Sequence, residues 1–219
     1  MTGPATCFDV LVIETAASAC SVALLVDGKV VAYQHDEIAR GHAEHLLPMI
    51  AALPGKGRAD SILVDCGPGS FTGLRVGLAA ARALGFVWNV PVRGFRTLDL
   101  LATAAGRLHL GHDRLLVVTL GGHGEWFVQP FTRQPDDTMG ALAPFRSLRP
   151  EAALEAYGAD WFAVGSAAAA YAALTTGMAV LDLAPDAREA AGLPASLLME
   201  KAEAVYGRGA DAKPMAPAA

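Results

Sequence analysis

SILVDCGPGSFTGLR, residues 61–75, decides the fold. Residues 61–66 form an apolar run that ends in Gly67-Pro68-Gly69-Ser70. Ser70 is placed to cap a helix over residues 71–88, because its hydroxyl accepts from an amide of the first turn. A strand feeding a glycine turn and then a helix N-terminus offers backbone amides to an anion. Gly67, Gly69, Ser70 and Thr72 are therefore candidate anion or nucleotide contacts. A second reading stays open beside it, a tight turn with a capped helix and no ligand. The spacing fits no nucleotide code: GxGxxG is absent, and no Lys-Ser/Thr follows the last glycine.

On the N-terminal side, residues 9–14, 19–26 and 29–33 read as a meander of three strands. Asp27-Gly28 joins the last two as a type I′ turn, in which both residues must tolerate positive φ. His42, Leu46, Met49, Ile50 and Leu53 then fall on one face of a helix. Pro48 either kinks that helix or marks its start near Leu47, since proline lacks the amide the ladder needs. Residues 54–58 break the chain. A strand at 90–94 and a helix at 97–106 follow the glycine-turn helix.

The second half repeats this order. Residues 115–120 and 126–132 flank Gly121-Gly122-His123-Gly124 as a hairpin, followed by helix 151–157, strand 161–164, helix 167–175 and strand 179–183. Two β-β-β-α-β-α halves imply an α/β protein with mixed sheets covered by helices. The expected organisation is residues 1–106, residues 107–191, and a C-terminal piece, 192–219, packing back on the chain. Residues 189–206 read as helix apart from Gly192 and Pro194, and residues 207–219 as a fraying tail.

The 219 residues are 53% hydrophobic and 18% charged, enough apolar surface for a core, so the body is not disordered by composition. Seventeen Lys+Arg against 22 Asp+Glu give a net charge of −5 without a dense basic run, which makes the chain alone a poor phosphate-backbone binder. Cys7, Cys20 and Cys66 are odd in number and contain no CxxC pair, which argues against a disulfide framework and a cysteine zinc site and fits a reducing compartment. The N-terminus lacks the basic and apolar regions of a signal peptide, so cytoplasm is expected. Residues 161–181 carry no charge over the ~20 residues a bilayer requires, but they are mostly alanine and divide into strand, helix and strand, so no membrane span is expected.

Gly73, Gly77, Ala81 and Gly85 lie at i+4 spacing, a stripe with almost no side-chain bulk that lets another backbone approach closely, inside the chain or between molecules. Arg75, Ala79 and Arg82 mark a different, solvated face. His42 with His45 and His109 with His112 are HxxH pairs, but neither comes with HExxH or a visible further ligand. Ser70 is not in a GxSxG elbow. Glu14 ends the first strand, where it orients a metal or water near a phosphate or else caps a turn with Thr15. Glu125 is a strand-edge carboxylate, and His123 sits in the second hairpin turn.

ETAASACSVAL (14–24), GHAEHLLPMI (41–50), GPGSFTGLRVG (67–77) and GFRTLDLLA (94–102) together resemble the TsaB (YeaZ) family of tRNA threonylcarbamoyladenosine biosynthesis proteins. The resemblance covers residues 9–105 well and is most specific in GPGSFTGLR. Farther on, Val205-Tyr206-Gly207-Arg208 and Asp211-Ala212-Lys213-Pro214 are similar to the family's final motif. It implies an actin-like, Hsp70-type ATPase fold of two duplicated subdomains, in agreement with the two halves read above. It also implies pairing with the catalytic paralogue TsaD and with the ATPase TsaE. That system transfers threonylcarbamoyl from its adenylate to the adenosine beside the anticodon in tRNAs reading codons that start with A.

By the same resemblance, the paralogue's HxxxH metal pair falls on Thr97 and Leu101, neither of which ligates iron or zinc. The implied role is a non-catalytic scaffold and activator with no catalytic residue, no metal and no intrinsic cofactor. ATP or ADP enters only in the complex, tRNA is met only through it, and a homodimer forms when the chain is alone. The family's dimer surface is a bundle of the first two helices of each partner, which places it on His42, Leu46, Met49, Ile50, Leu53, Gly73, Gly77 and Ala81. Two departures stand out: the family usually has Asp at Glu14, and Asp-x-Arg-x-x-Glu-x-Tyr where residues 120–127 read LGGHGEWF, keeping only Glu125. The rival expectation is an enzyme acting on its own, an actin-fold ATPase or a metal-dependent transferase or peptidase.

Overall fold

The computed structural model describes residues 8–38, 40–108 and 111–207. Strands β1 (Asp9–Glu14), β2 (Ala19–Val26) and β3 (Lys29–Glu37) form the opening meander. Asp27 and Gly28 both have positive φ, 49° and 74°, as the turn demands. Helix α1 (His42–Ala52), strand β4 (Ser61–Asp65), helix α2 (Phe71–Trp88) and strand β5 (Val92–Phe95) complete a sheet of order β3-β2-β1-β4-β5. β1, β4 and β5 run parallel, so their C-terminal ends open on one edge.

After α3 (Thr97–Arg107) the second sheet is built from β6 (Arg114–Leu120), β7 (Trp126–Arg133), β8 (Met139–Ala141) and β9 (Arg146–Leu148), then α4 (Pro150–Tyr157), β10 (Phe162–Val164), α5 (Ala168–Ala172) and β11 (Val180–Leu181). Its order is β11-β10-β6-β7-β8, with β9 also on β7. β6 stands where β1 stands and β7 where β2 stands. β10 and β11 continue the sheet in parallel as β4 and β5 do, so the two halves are copies of one plan. The uncharged run at 161–181 is divided among β10, α5 and β11, and no helix of the described residues is long and apolar enough to cross a membrane.

Two expectations are corrected, and two short strands are added. α1 is continuous through Pro48; Glu44 and Pro48 are both exposed, so the carbonyl that loses its partner is open to water. The short strands β8 and β9 were not legible, since three residues carry too little periodicity. No α-helix forms over 189–206: Gly192 and Pro194 leave 3-10 turns at Ala187–Gly192 and Ala195–Leu197, and the chain then runs irregularly to Gly207.

That closing segment lies on the first sheet and α2. Met199 and Gly94 exchange two backbone hydrogen bonds (3.0 and 2.8 Å), Ala202 is buried, and the Val205 amide donates to the Cys66 carbonyl at 2.6 Å. α3 is shared between the halves. Leu98, Leu101 and Ala105 pack with Leu115, Val117 and Phe131 of the second sheet, whereas Leu100 packs with Val12, Ala23 and Phe95 of the first.

Candidate functional site

The glycine turn sits at the C-terminal ends of β1 and β4 and is spent on its own chain. The Gly67 amide donates to Asp65 Oδ1 (2.6 Å), the Ser70 amide to the Ala16 carbonyl (2.7 Å), and the Gly73 amide to Ser70 Oγ (3.2 Å), which caps α2. Gly67 has φ +96°, and a Cβ there would lie 2.8 Å from the Val205 carbonyl oxygen, so the closing segment covers the turn. A Cβ on Gly69 would strike the Ala16 carbonyl. Of the four candidate anion contacts, Thr72 is exposed on the first turn of α2, and the Gly67 and Ser70 amides are occupied.

Beneath the turn lie two carboxyl groups. Pairing of Ile13 with Val64 across parallel β1 and β4 sets Glu14 beside Asp65, and both side chains have no solvent exposure. Glu14 Oε1 accepts from the Ala16 amide (2.6 Å). Asp65 Oδ1 accepts from the Gly67 amide and from Thr97 Oγ1 (2.8 Å). Glu14 Oε2 and Asp65 Oδ2 have no other donor. Burial, then the Asp65 charge, holds the Glu14 carboxyl well above the usual range, and burial pushes Asp65 up to about 7. Two buried carboxyls side by side resist ionising together, which favours the protonated form within the pair. Asp99, on the first turn of α3, is also buried and raised by burial. Glu14 thus both turns its carboxyl onto the Ala16 amide, as a local cap, and joins the acid pair. Asp65 was missed from the sequence. The available signal was a carboxylate closing an apolar strand that runs parallel to the one Glu14 closes.

The eight residues expected at a partner face are instead interior. His42, Leu46, Met49, Ile50 and Leu53 are buried, and all but His42 belong to the core beneath α1, which Ala81 joins from α2. His42 Nε2 lies 3.1 and 3.2 Å from the Ala17 and Ala19 carbonyls, a donor shared between two acceptors. The small-residue stripe is filled by the first sheet: a Cβ on Gly73 would strike the Thr15 carbonyl, on Gly77 the Thr15 hydroxyl, and on Gly85 the Val92 side chain. The reason is reach, since α2 must lie close enough to β1 for Thr15 Oγ1 to donate to the Gly73 carbonyl (2.8 Å). What α1 and α2 offer outward is another set. Leu47 is 53% exposed, Phe86 88% and Val87 74%, on two helices packed against each other.

The remaining candidates are structural. Thr97 holds Asp65, and Leu101 is 1% exposed in the core. His123 is exposed at φ 61°, and Glu125 Oε2 accepts from Ser147 Oγ at 2.6 Å. Cys20 and Cys66 are buried free thiols. Cys7, His109 and the motif residues from Arg208 onward lie outside the described residues. Among the described residues no three His, Cys, Asp or Glu side chains are arranged to hold a metal ion.

Two like sheets, with carboxylates and a helix N-terminus gathered at the ends of the parallel strands, define the actin-like, Hsp70-type class of α/β proteins. Residues 31–143 match the family TsaD: tRNA N6-adenosine threonylcarbamoyltransferase. The structure of YeaZ from Pseudomonas aeruginosa superposes with a TM-score of 0.75 at 27% identity, over 91% of this chain and 99% of that one. A protein described as similar to peptidase YeaZ from Pseudomonas aeruginosa gives 0.70 at 29% identity, over 83% and 88%. The tRNA threonylcarbamoyladenosine biosynthesis proteins TsaB of Haemophilus influenzae and Escherichia coli are 30% and 32% identical to it. They match over 75% of this chain and 75% of the relative, and over 72% and 71%, respectively. The chain belongs to the TsaB (YeaZ) family of tRNA threonylcarbamoyladenosine biosynthesis proteins.

Proposed function

We propose that the chain is a non-catalytic subunit that pairs with a TsaD-type transferase and, with a TsaE-type ATPase, supports threonylcarbamoyl transfer to the adenosine beside the tRNA anticodon. The observation that carries this reading is the outward face of α1 and α2. Phe86 and Val87 on α2 and Leu47 on α1 are large apolar side chains left in solvent, which burial against a protein partner would cover. Support comes also from the glycine turn. An actin-like ATPase keeps that place open for phosphate, whereas here it is covered by the backbone of Val205 and the Gly67 and Ser70 amides are occupied. The acid pair below is sealed from water. In this reading the chain carries no cofactor of its own; ATP or ADP enters with the complex, tRNA is met only through it, and the site of action is the cytoplasm.

Reconstitution tests this. Transferase, ATPase, tRNA, threonine, bicarbonate and ATP are combined with and without this chain, and modified adenosine is quantified after nuclease digestion. The wild-type chain restores modification and Phe86→Glu does not, while Phe86→Glu keeps the wild-type melting temperature. Full modification without the chain, or with Phe86→Glu, overturns the reading.

A further inference from the structure

We propose that the groove between α2 and the closing segment receives two carboxylates set two helical turns apart on a partner helix that runs alongside α2. This rests on the pairing proposed above and names the chemistry the partner must present.

The groove, about 370 Å³, is lined by Arg75, Leu78, Ala79, Arg82, Glu203 and Tyr206. Arg75 is held in place from two sides. Its Nε–H donates to the Tyr206 hydroxyl (3.3 Å) and its guanidinium lies 3.7 Å over the ring of Phe71, which itself contacts the Tyr206 ring (5.3 Å between centroids). With Nε engaged, the Nη1–Nη2 edge stays free, and that fork accepts a carboxylate through two parallel hydrogen bonds. Arg82 is tied by one hydrogen bond from Nη2 to the Ala202 carbonyl (2.6 Å), leaving Nε and Nη1 to donate. Neither guanidinium has a carboxylate partner among the described residues, whereas nearby Arg93 is closed by Glu200 of the same segment. Glu203 is the one acid of the groove and is exposed, so one negative charge stands against two positive ones.

Seven residues separate Arg75 from Arg82, two turns and ~10 Å along the axis. Two acids at that spacing on a parallel or antiparallel helix meet both guanidinium groups at once, one on the Nη1–Nη2 edge of Arg75 and one on a remaining donor of Arg82. Ala79 between them, and Ala83 beyond, keep α2 narrow enough for a second helix to come close. About one turn beyond Arg82, α2 carries the exposed Phe86 and Val87, which a free oligophosphate would leave in water and a helix with an apolar flank would cover.

The experiment measures the affinity of the TsaD-type protein for the wild-type chain, Arg75→Glu/Arg82→Glu, Arg75→Gln/Arg82→Gln and Phe86→Glu, at low and high salt, with each variant's melting temperature confirmed. The double reversal is expected to weaken binding roughly 100-fold and the neutral pair roughly tenfold, with wild-type binding falling as salt rises. Converting acid pairs seven residues apart on the partner's helices to lysine, one pair at a time, is expected to restore binding to the double reversal at one pair. If the double reversal binds as the wild type does while Phe86→Glu does not, the groove proposal is overturned and the pairing stands. If the wild type itself fails to bind, the pairing reading falls first.

Discussion

Glu14 and Asp65 show how a position keeps its place in a fold and changes its chemistry. Buried side by side at the ends of β1 and β4, both are held above the usual carboxylate range, chiefly by burial. Their carboxyls titrate near 4 in the unfolded chain, and both are raised in the folded one, Asp65 to about 7. The folded state therefore binds more protons between those values, and stability is full below pH ~4 and is lost as pH rises through about 7. For Asp65, raised to about 7, the stability lost above that pH is on the order of 4 kcal/mol. Glu14→Gln removes one of the two buried acids and leaves Asp65 without an acidic neighbour there, and is expected to flatten the drop in urea midpoint between pH 5 and 8. An unchanged drop would show that Glu14 does not contribute to it. Gly77 makes a second case. Its spacing advertised a contact surface, yet Thr15 fills the space over it, so Gly77→Leu is expected to cost at least about 1–3 kcal/mol of stability, read as a lowered denaturation midpoint. A Gly77→Leu chain as stable as the wild type would return the stripe to the surface.

At the scale of elements, the glycine turn, α2 and the Asp27-Gly28 hairpin were legible because each is set by local chemistry: a cap, a breaker, two positive φ values. Helical periodicity likewise found the apolar face of α1, but periodicity reports burial and does not say against what. Leu46, Met49, Ile50 and Leu53 are buried within the chain's own core, and the large apolar side chains left outward on α1 and α2 include Leu47, Phe86 and Val87. The closing segment was misread as helix because Ala- and Glu-rich sequence favours helix, while its actual conformation is imposed by Gly94, Cys66 and Arg82, residues more than a hundred positions away. Since that segment roofs Cys66, whose thiol burial and the nearby Asp65 push up to about 12, removing residues 199–219 is expected to make Cys66 reactive toward maleimide, mapped by mass spectrometry. Persistent protection of Cys66 in the truncated chain would mean the segment is not its cover.

For the whole molecule, the duplicated order of the two sheets was readable from strand and helix alternation, and the short β8 and β9 were not, because pairing with β7 rather than their own sequence makes them strands. The actin-like frame has its glycine turn covered by Val205, its two carboxyls buried, and Leu47, Phe86 and Val87 exposed. The measurement that tests this most directly is size-exclusion chromatography with light scattering on the chain alone and mixed with the TsaD-type protein of the same source. The account predicts a mixed species with the mass of a heterodimer, formed by the wild-type chain and lost with Phe86→Glu. Separate elution of the two wild-type proteins, even with the TsaE-type ATPase and ATP present, would contradict it.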